Sequence, residues 1–230
     1  MADWLGSKRQ VFLIAVALLF LVDLYLIFVY APTATSALGL QVQRLFYMHV
    51  PSALVGFISF GVAAFASIAY LAKRKKSWDH IAYASAEVGT LFFTVAIVTG
   101  AIWAKPVWQI WWAWDANGTL TFVLWLMFIG YLVTRAYAPS DRQGSLWGAI
   151  VAVLAAAAVP FVYMAADWWD GLHTERVTGP GAQGSLESAM LNTLVYSLCV
   201  FICLFAALVS VRSNQRGQEA ELEAINRTLE

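Results

Sequence analysis

The chain is poor in charge. Only 12% of its 230 residues are charged and 61% are hydrophobic, whereas charged residues make up about a quarter of a soluble domain. This scarcity excludes an ordinary soluble globular protein. Cysteine is also rare: Cys199 and Cys203 lie one helical turn apart in an apolar run and form no CxxC pair. We expect both to be buried as small hydrophobic side chains, since a redox or metal pair has weaker support.

A nucleotide-binding P-loop is absent as well, because the sequence contains no GxxxxGK[ST]. If ATP hydrolysis drives this protein, another subunit performs it. What the chain does contain is long apolar runs, and runs of at least about 18 such residues are typical of transmembrane helices. The six runs are 11–30, 52–72, 81–103, 119–138, 146–166 and 188–211. The sequence therefore predicts one membrane domain over 1–211 and a short polar tail over 212–230.

The distribution of lysine and arginine predicts the orientation in the membrane. With six spans, the N-terminus, the second and fourth loops and the tail share one side. That side carries eleven cations: Lys8, Arg9, Lys73, Arg74, Lys75, Lys76, Arg135, Arg142, Arg212, Arg216 and Arg227. The opposite loops carry three: Arg44, Lys105 and Arg176. By the positive-inside rule, we expect an all-α integral membrane protein with six transmembrane helices and both termini in the cytoplasm.

The three loops on the outer side carry most of the notable side chains. They read LQVQRLFYMHVPS, AKPVWQIWWAWDANG and DWWDGLHTERVTGPGAQG, and they contain His49 and His173. The second loop holds four tryptophans within VWQIWWAWD, and the third adds Trp168 and Trp169. The remaining histidine, His80, lies at the cytoplasmic end. Interfacial tryptophan belts are common, but a belt does not explain this clustering on one face.

Two imidazoles and a tryptophan platform suit a haem, since two neutral histidines make an axial pair for haem iron and tryptophans pack on a large apolar ring. If the segment is helical, Trp108, Trp111 and Trp112 share one face. The three outer cations Arg44, Lys105 and Arg176 are candidates for pairing with the propionates, although each is equally well a solvated loop charge. Zinc is a weaker alternative because two histidines make an incomplete site.

Two acidic residues lie within the predicted spans. An ionisable group in a membrane span is costly and is a functional candidate by default. Asp23 is at mid-span, where a partner helix or a partner subunit would have to satisfy it. Glu87 is near the inner end of the third span, where the alternative to a functional role is that its carboxylate reaches water.

Three motifs together resemble a known family. RLFYMHVP, TGAIWAKPVWQIWWAWD and WWDGLH occur in this order among six spans, and they are similar to the haem-handling WWD membrane proteins, in particular the haem exporter protein C subunits of cytochrome c maturation. The resemblance implies that His49 and His173 are the axial ligands of haem b. It also implies a haem-binding WWD segment within 103–119. The candidate cofactor-binding residues are His49, His173, Trp103, Trp108, Trp112, Trp114, Asp115, Thr119, Arg44, Trp168 and Trp169.

The resemblance further implies a location and a set of partners. The protein would lie in the bacterial inner membrane with its haem site on the periplasmic side, and would pass haem to a membrane-tethered haem chaperone. Other partners would be an ABC-type ATPase subunit, its membrane partner and a small single-span subunit. The chain departs from the family motif at two places: Gln109 replaces a glycine, and Asn117–Gly118 replaces an Arg-Leu pair. Loss of that arginine removes a cation from the haem face.

The sequence therefore favours a haem-delivering membrane subunit over a stand-alone enzyme, with no catalytic residue assigned. Two alternatives remain open. A haem lyase would attach haem to apocytochrome c directly, but relatives of that kind tend to have more spans and a second histidine pair. A b-type electron-transfer subunit would ligate haem from histidines within its spans, and none of the six spans holds a mid-span histidine.

Overall fold

The computed structural model describes residues 2–33, 40–172 and 186–229. Within them the chain forms α1 (Ala2–Tyr25), α2 (Phe46–Lys73), α3 (Lys76–Trp108), α4 (Ala116–Ala136), α5 (Asp141–Ala157), α6 (Val159–Trp168) and α7 (Ser188–Leu229). A π-helical turn (Leu26–Tyr30) follows α1, and a 3-10 segment (Leu40–Leu45) precedes α2. No strand occurs among the described residues.

Six helical segments are long and apolar enough to cross a membrane, which confirms the predicted all-α membrane fold with six spans. They are Lys8–Tyr30, Gln41–Lys73, Lys76–Trp108, Ala116–Ala136, Asp141–Trp168 and Ser188–Glu223. The fifth combines α5 and α6, which meet at Ala158, directly before the Val159–Pro160 start of α6. The sixth continues as helix through the polar tail to Leu229. Many large apolar side chains remain exposed on α1, α2 and α5, as expected for surfaces that face lipid.

The α2–α3 hairpin forms the centre of the bundle. Its two helices are joined by Arg74 and Lys75 alone. They approach closely because small residues lie between them: a Cβ at Gly56 would lie 2.6 Å from the ring of Phe93, and a Cβ at Gly89 would lie 2.9 Å from the ring of Phe60. Small residues at such contacts allow close helix packing in membranes. Phe60 in turn stacks on Phe128 of α4, with ring centroids 3.6 Å apart.

Ion pairs join the helices at one end of the bundle, called here the basic end (residues 73–80, 135–142 and 212–219). Arg135 of α4 makes a bidentate pair with Asp79 of α3, and Ser145 of α5 donates a hydrogen bond of 2.8 Å to the same carboxylate. Both charged side chains of the pair are buried. Arg212 of α7 contacts Glu87 of α3, with Nε 2.5 Å from Oε2. Glu87 is therefore paired within the chain.

Two further polar groups in the spans have defined positions. The hydroxyl of Ser197 on α7 donates a hydrogen bond of 2.6 Å to Oδ1 of Asp23, which ties α1 to α7. A partner helix of the same chain thus satisfies one oxygen of this carboxylate.

The prediction for the cysteines is wrong for Cys199, which is exposed, whereas Cys203 is half-buried and both are free thiols. Cys199 lies on the side of α7 that faces away from the bundle, where an apolar thiol needs no protein neighbour in lipid.

Candidate functional site

His49 lies in the first turn of α2, at the end of the bundle opposite the basic end. Its Nδ1 is 2.8 Å from the carbonyl oxygen of Ala96 on α3. Because a carbonyl oxygen only accepts hydrogen bonds, this contact assigns the ring hydrogen to Nδ1 and the lone pair to Nε2. Metal-binding histidines are commonly oriented in this way, with the other ring nitrogen donating to a backbone carbonyl. The imidazole is therefore held in a tautomer and an orientation that suit metal ligation.

A glycine on α3 makes room for this imidazole. A Cβ at Gly100 would lie 2.9 Å from Cε1 and 3.2 Å from Nδ1 of His49, so any larger residue would displace the ring. Thr99 lies beside it, with its hydroxyl 3.4 Å from His49 Nδ1 and 2.6 Å from the carbonyl of Val95. Sequence reasoning missed Ala96 and Gly100. The available signal was their spacing. Ala96, Gly100 and Trp103 follow one another at about one helical turn, so they lie on the same face of α3.

A cavity of about 310 Å³ opens beside His49, within the size range of ligand pockets, about 300–1,000 Å³. Its walls come from α2, α3, α4 and α6 and from the loop after α3. They include His49 and four tryptophans, Trp103, Trp108, Trp111 and Trp112. Trp103 and Trp108 meet edge to face, with ring centroids 5.1 Å apart. The structure thus brings one predicted histidine and three of the predicted tryptophans (Trp103, Trp108 and Trp112) to a single cavity.

The tryptophan segment is a loop, so the assumption of a helix through Trp112 is wrong. α3 ends at Trp108, and Gln109 adopts a left-handed conformation with φ of 63°. Two side chains donate hydrogen bonds to carbonyl oxygens at this helix end. Lys105 Nζ is 3.2 Å from the carbonyl oxygen of Gln109, and Gln109 Nε2 is 3.1 Å from that of Pro106. Trp108, Trp111 and Trp112 nevertheless line the same cavity. The loop, and not the periodicity of a helix, therefore brings these three tryptophans together.

Trp112 carries a polar group that the described residues leave unsatisfied. Its indole Nε1 is buried and has no hydrogen-bond partner among the described residues. A buried donor without a partner is uncommon and calls for an explanation. Since Trp112 also lines the cavity, an acceptor atom of a bound ligand would satisfy it.

Six of the predicted site residues do not line this cavity: Arg44, Trp114, Asp115, Thr119, Trp168 and Trp169. The guanidinium of Arg44 instead donates a hydrogen bond of 2.5 Å to the carbonyl of Ile27, in the π-helical turn, and one of 2.8 Å to Gln41. Trp114, Trp168 and Trp169 are exposed. Lys105 lies near the tryptophans, with Nζ 5.9 Å from the centre of the Trp111 ring.

The other two histidines lie apart from this cavity or outside the described residues. His173 and Arg176 fall in 173–185, beyond the described ranges. His80 belongs to the basic end, where it approaches Gly217 of α7. Among the residues that the structure describes, no group of three or more His, Cys, Asp or Glu is arranged to hold a metal ion. The zinc alternative gains no support from this part of the chain.

Comparison with known proteins identifies a family that matches nearly the whole chain and relatives that match about three quarters of it. The profile of the family described as Heme exporter protein C matches residues 2–227. A protein of this name from Haemophilus influenzae is 31% identical over 170 residues, which cover 74% of this chain and 69% of that protein. The corresponding protein of Bradyrhizobium diazoefficiens is 28% identical over 165 residues (72% and 63%). That of Escherichia coli K12 is 30% identical over 172 residues (74% and 68%). The matches span about two thirds of the length of each of these relatives.

Proposed function

The chain belongs to the heme exporter protein C family, and from this we propose that it is a haem-binding membrane subunit for the maturation of c-type cytochromes. In this proposal the chain spans the bacterial inner membrane with both termini in the cytoplasm. The end of the bundle that holds His49 and the tryptophan loop faces the periplasm. There the protein presents haem b to a membrane-tethered haem chaperone.

The geometry of His49 is the observation that carries the proposal. The contact of 2.8 Å from Nδ1 to the carbonyl of Ala96 assigns the ring hydrogen to Nδ1, so Nε2 is the nitrogen that would ligate iron. His173 is the proposed second axial ligand, because it is the other histidine of the outer loops. Two histidines saturate the axial positions of haem iron, which suits a carrier and disfavours oxygen chemistry.

The cavity walls fit a flat, mainly apolar ligand. Trp103, Trp108 and Trp112 offer aromatic surface beside His49, and such rings pack well against a macrocycle. The buried Nε1–H of Trp112 supplies one donor for a carboxylate oxygen, of the kind that a haem propionate carries. Trp111 and Trp114 remain exposed at 60% and 71%, so the rim of the site is available to a partner protein.

We assign the chain a binding and positioning role, with no catalytic residue of its own. The haem supplies the reactive chemistry, and the protein supplies ligation, orientation and shielding. ATP hydrolysis belongs to an ABC-type ATPase subunit, since this sequence contains no P-loop. The other proposed partners are the membrane partner of that ATPase and a small single-span subunit.

Complementation of a strain that lacks its own copy of this subunit tests the proposal. We expect His49→Ala or His173→Ala to abolish the covalent haem stain of c-type cytochromes while the protein remains at its normal level in the membrane. His80→Ala is the matched control, because it removes an imidazole at the basic end, and it should support normal maturation. A dispensable outer pair with an essential His80 would refute the proposed site.

A further inference from the structure

Asp115, the acidic residue that ends the tryptophan loop, connects two segments that are distant in sequence. Its Oδ1 accepts a hydrogen bond of 2.9 Å from the backbone N–H of Gly118, which caps the N-terminus of α4. Its Oδ2 accepts a second bond of 3.0 Å from the backbone N–H of Leu172, beyond the end of α6. One carboxylate thus holds the start of α4 and the segment after α6 together.

Gly171 allows this approach. A Cβ at position 171 would lie 2.5 Å from Oδ2 of Asp115 and 3.0 Å from its Cβ and Cγ. These contacts are too short for any residue with a side chain unless the carboxylate moves. The hydrogen bond to Leu172 and the close contact with Gly171 are separate observations. Together they place the carboxylate of Asp115 against these two neighbouring residues.

The carboxylate also adjoins the wall of the cavity without belonging to it. Ala113, Asn117 and Gly118 line the cavity, and Asp115 does not. Gly118 packs directly on the carbonyl of Ala113, where a Cβ would collide. The loop, the start of α4 and the segment ending at Leu172 are therefore one connected unit beside the ligand site.

We infer that Asp115 is a positioning residue, which fixes the segment leading to His173 relative to the tryptophan loop. This inference rests on the proposed function, because His173 follows Leu172 directly in the chain and is the proposed second axial ligand. Asp115 acts through the backbone of Leu172 and makes no contact with haem in this role. In this role Asp115 couples the tryptophan loop to the segment that directly precedes His173.

Two substitutions separate this role from simple helix capping. Asp115→Ser keeps an oxygen that caps α4, since serine is a good N-cap residue, but it is too short to reach Leu172. Gly171→Ala leaves Asp115 intact and pushes the segment away from it. Ser140→Ala is the control for lost capping, because Ser140 caps α5 at the basic end. Each full-length variant is purified with its partner subunits and loaded with haem, and its helix content is checked by circular dichroism.

The readout is the spin state of the bound haem, measured by absorption and electron paramagnetic resonance. We expect Asp115→Ser and Gly171→Ala to lower the low-spin fraction as His173→Gly does, and to weaken haem retention about tenfold, the effect of losing a charge-assisted hydrogen bond. Added imidazole should restore the low-spin signal in all three. Ser140→Ala should match the wild type.

Two results would overturn the inference, and they differ in what else they refute. If His173→Gly loses the low-spin signal while Asp115→Ser and Gly171→Ala keep it, Asp115 does not position the ligand and the proposed haem site stands. If His173→Gly itself retains the wild-type signal, the bis-histidine site is wrong, and the role given to Asp115 fails with it.

Discussion

Replacing Gly100 with alanine tests whether α3 sets the orientation of His49. The added Cβ would lie 2.9 Å from Cε1 of His49, whereas a comfortable carbon–carbon contact is about 3.5–4.0 Å. The ring and the helix must therefore separate by more than about half an ångström. The hydrogen bond from Nδ1 to Ala96, now 2.8 Å long, would then exceed the normal range.

The expected loss follows from that one hydrogen bond. Its net contribution is about 0.5–1.5 kcal/mol, and about 1.4 kcal/mol corresponds to a factor of ten in affinity. We therefore expect Gly100→Ala to bind haem about two- to tenfold more weakly. Two opposing effects act on the stability of the protein. Alanine stabilises a helix by about 1 kcal/mol relative to glycine, whereas overpacking destabilises by about 1–3 kcal/mol, so the net change in stability should be small.

Haem titration of the purified protein, followed by Soret absorbance, measures this affinity. Gly61→Ala is the matched control, because Gly61 lies within α2 and a Cβ there would meet nothing within 4 Å. It should leave the affinity unchanged. Wild-type affinity and an unchanged spectrum in Gly100→Ala would show that the contact with α3 does not orient the ligand.

Two further substitutions test the roles of single polar groups. Trp112→Phe keeps an aromatic ring but removes the buried N–H, and should weaken haem retention about two- to tenfold in the same titration; Trp147→Phe, at an exposed position of α5 outside the cavity, should have little effect. Arg135→Ala would leave the charge of Asp79 buried and unpaired, and should destabilise the protein by about 3–5 kcal/mol in thermal unfolding. Lys76→Ala breaks a more exposed ion pair and should cost less than about 1 kcal/mol; equal losses in the two variants would contradict the assignment of the buried pair.

The spans and the position of His49 could be predicted because they depend on local sequence. Long apolar runs determine where a chain crosses the membrane, and the six runs correspond to six helical segments. The grouping of outer loops follows from the number of crossings alone. Asp115 and Leu172 are 57 positions apart in the chain and are hydrogen-bonded, so the second and third of these loops do meet at one end of the bundle.

The shape of the site could not be predicted, because it depends on contacts between distant residues. The spacing of Trp108, Trp111 and Trp112 fits a helical face, yet Gln109 ends the helix in a left-handed conformation. Arg44 was a candidate for propionate pairing, and the structure places its guanidinium on the carbonyl of Ile27. Asp79, which forms the buried pair with Arg135, had no local signal. Each of these outcomes is decided by tertiary packing, which residue periodicity does not report.

An absorption spectrum of the purified full-length chain, recorded with and without dithionite, tests the central claim most directly. The wild type and His80→Ala should both show the Soret and α bands of low-spin haem. The double variant His49→Ala/His173→Ala should lose or shift these bands at the same protein concentration. A wild-type chain that stays free of haem when produced with its partner subunits and excess haem, or a double variant with an unchanged spectrum, would contradict the proposed bis-histidine site.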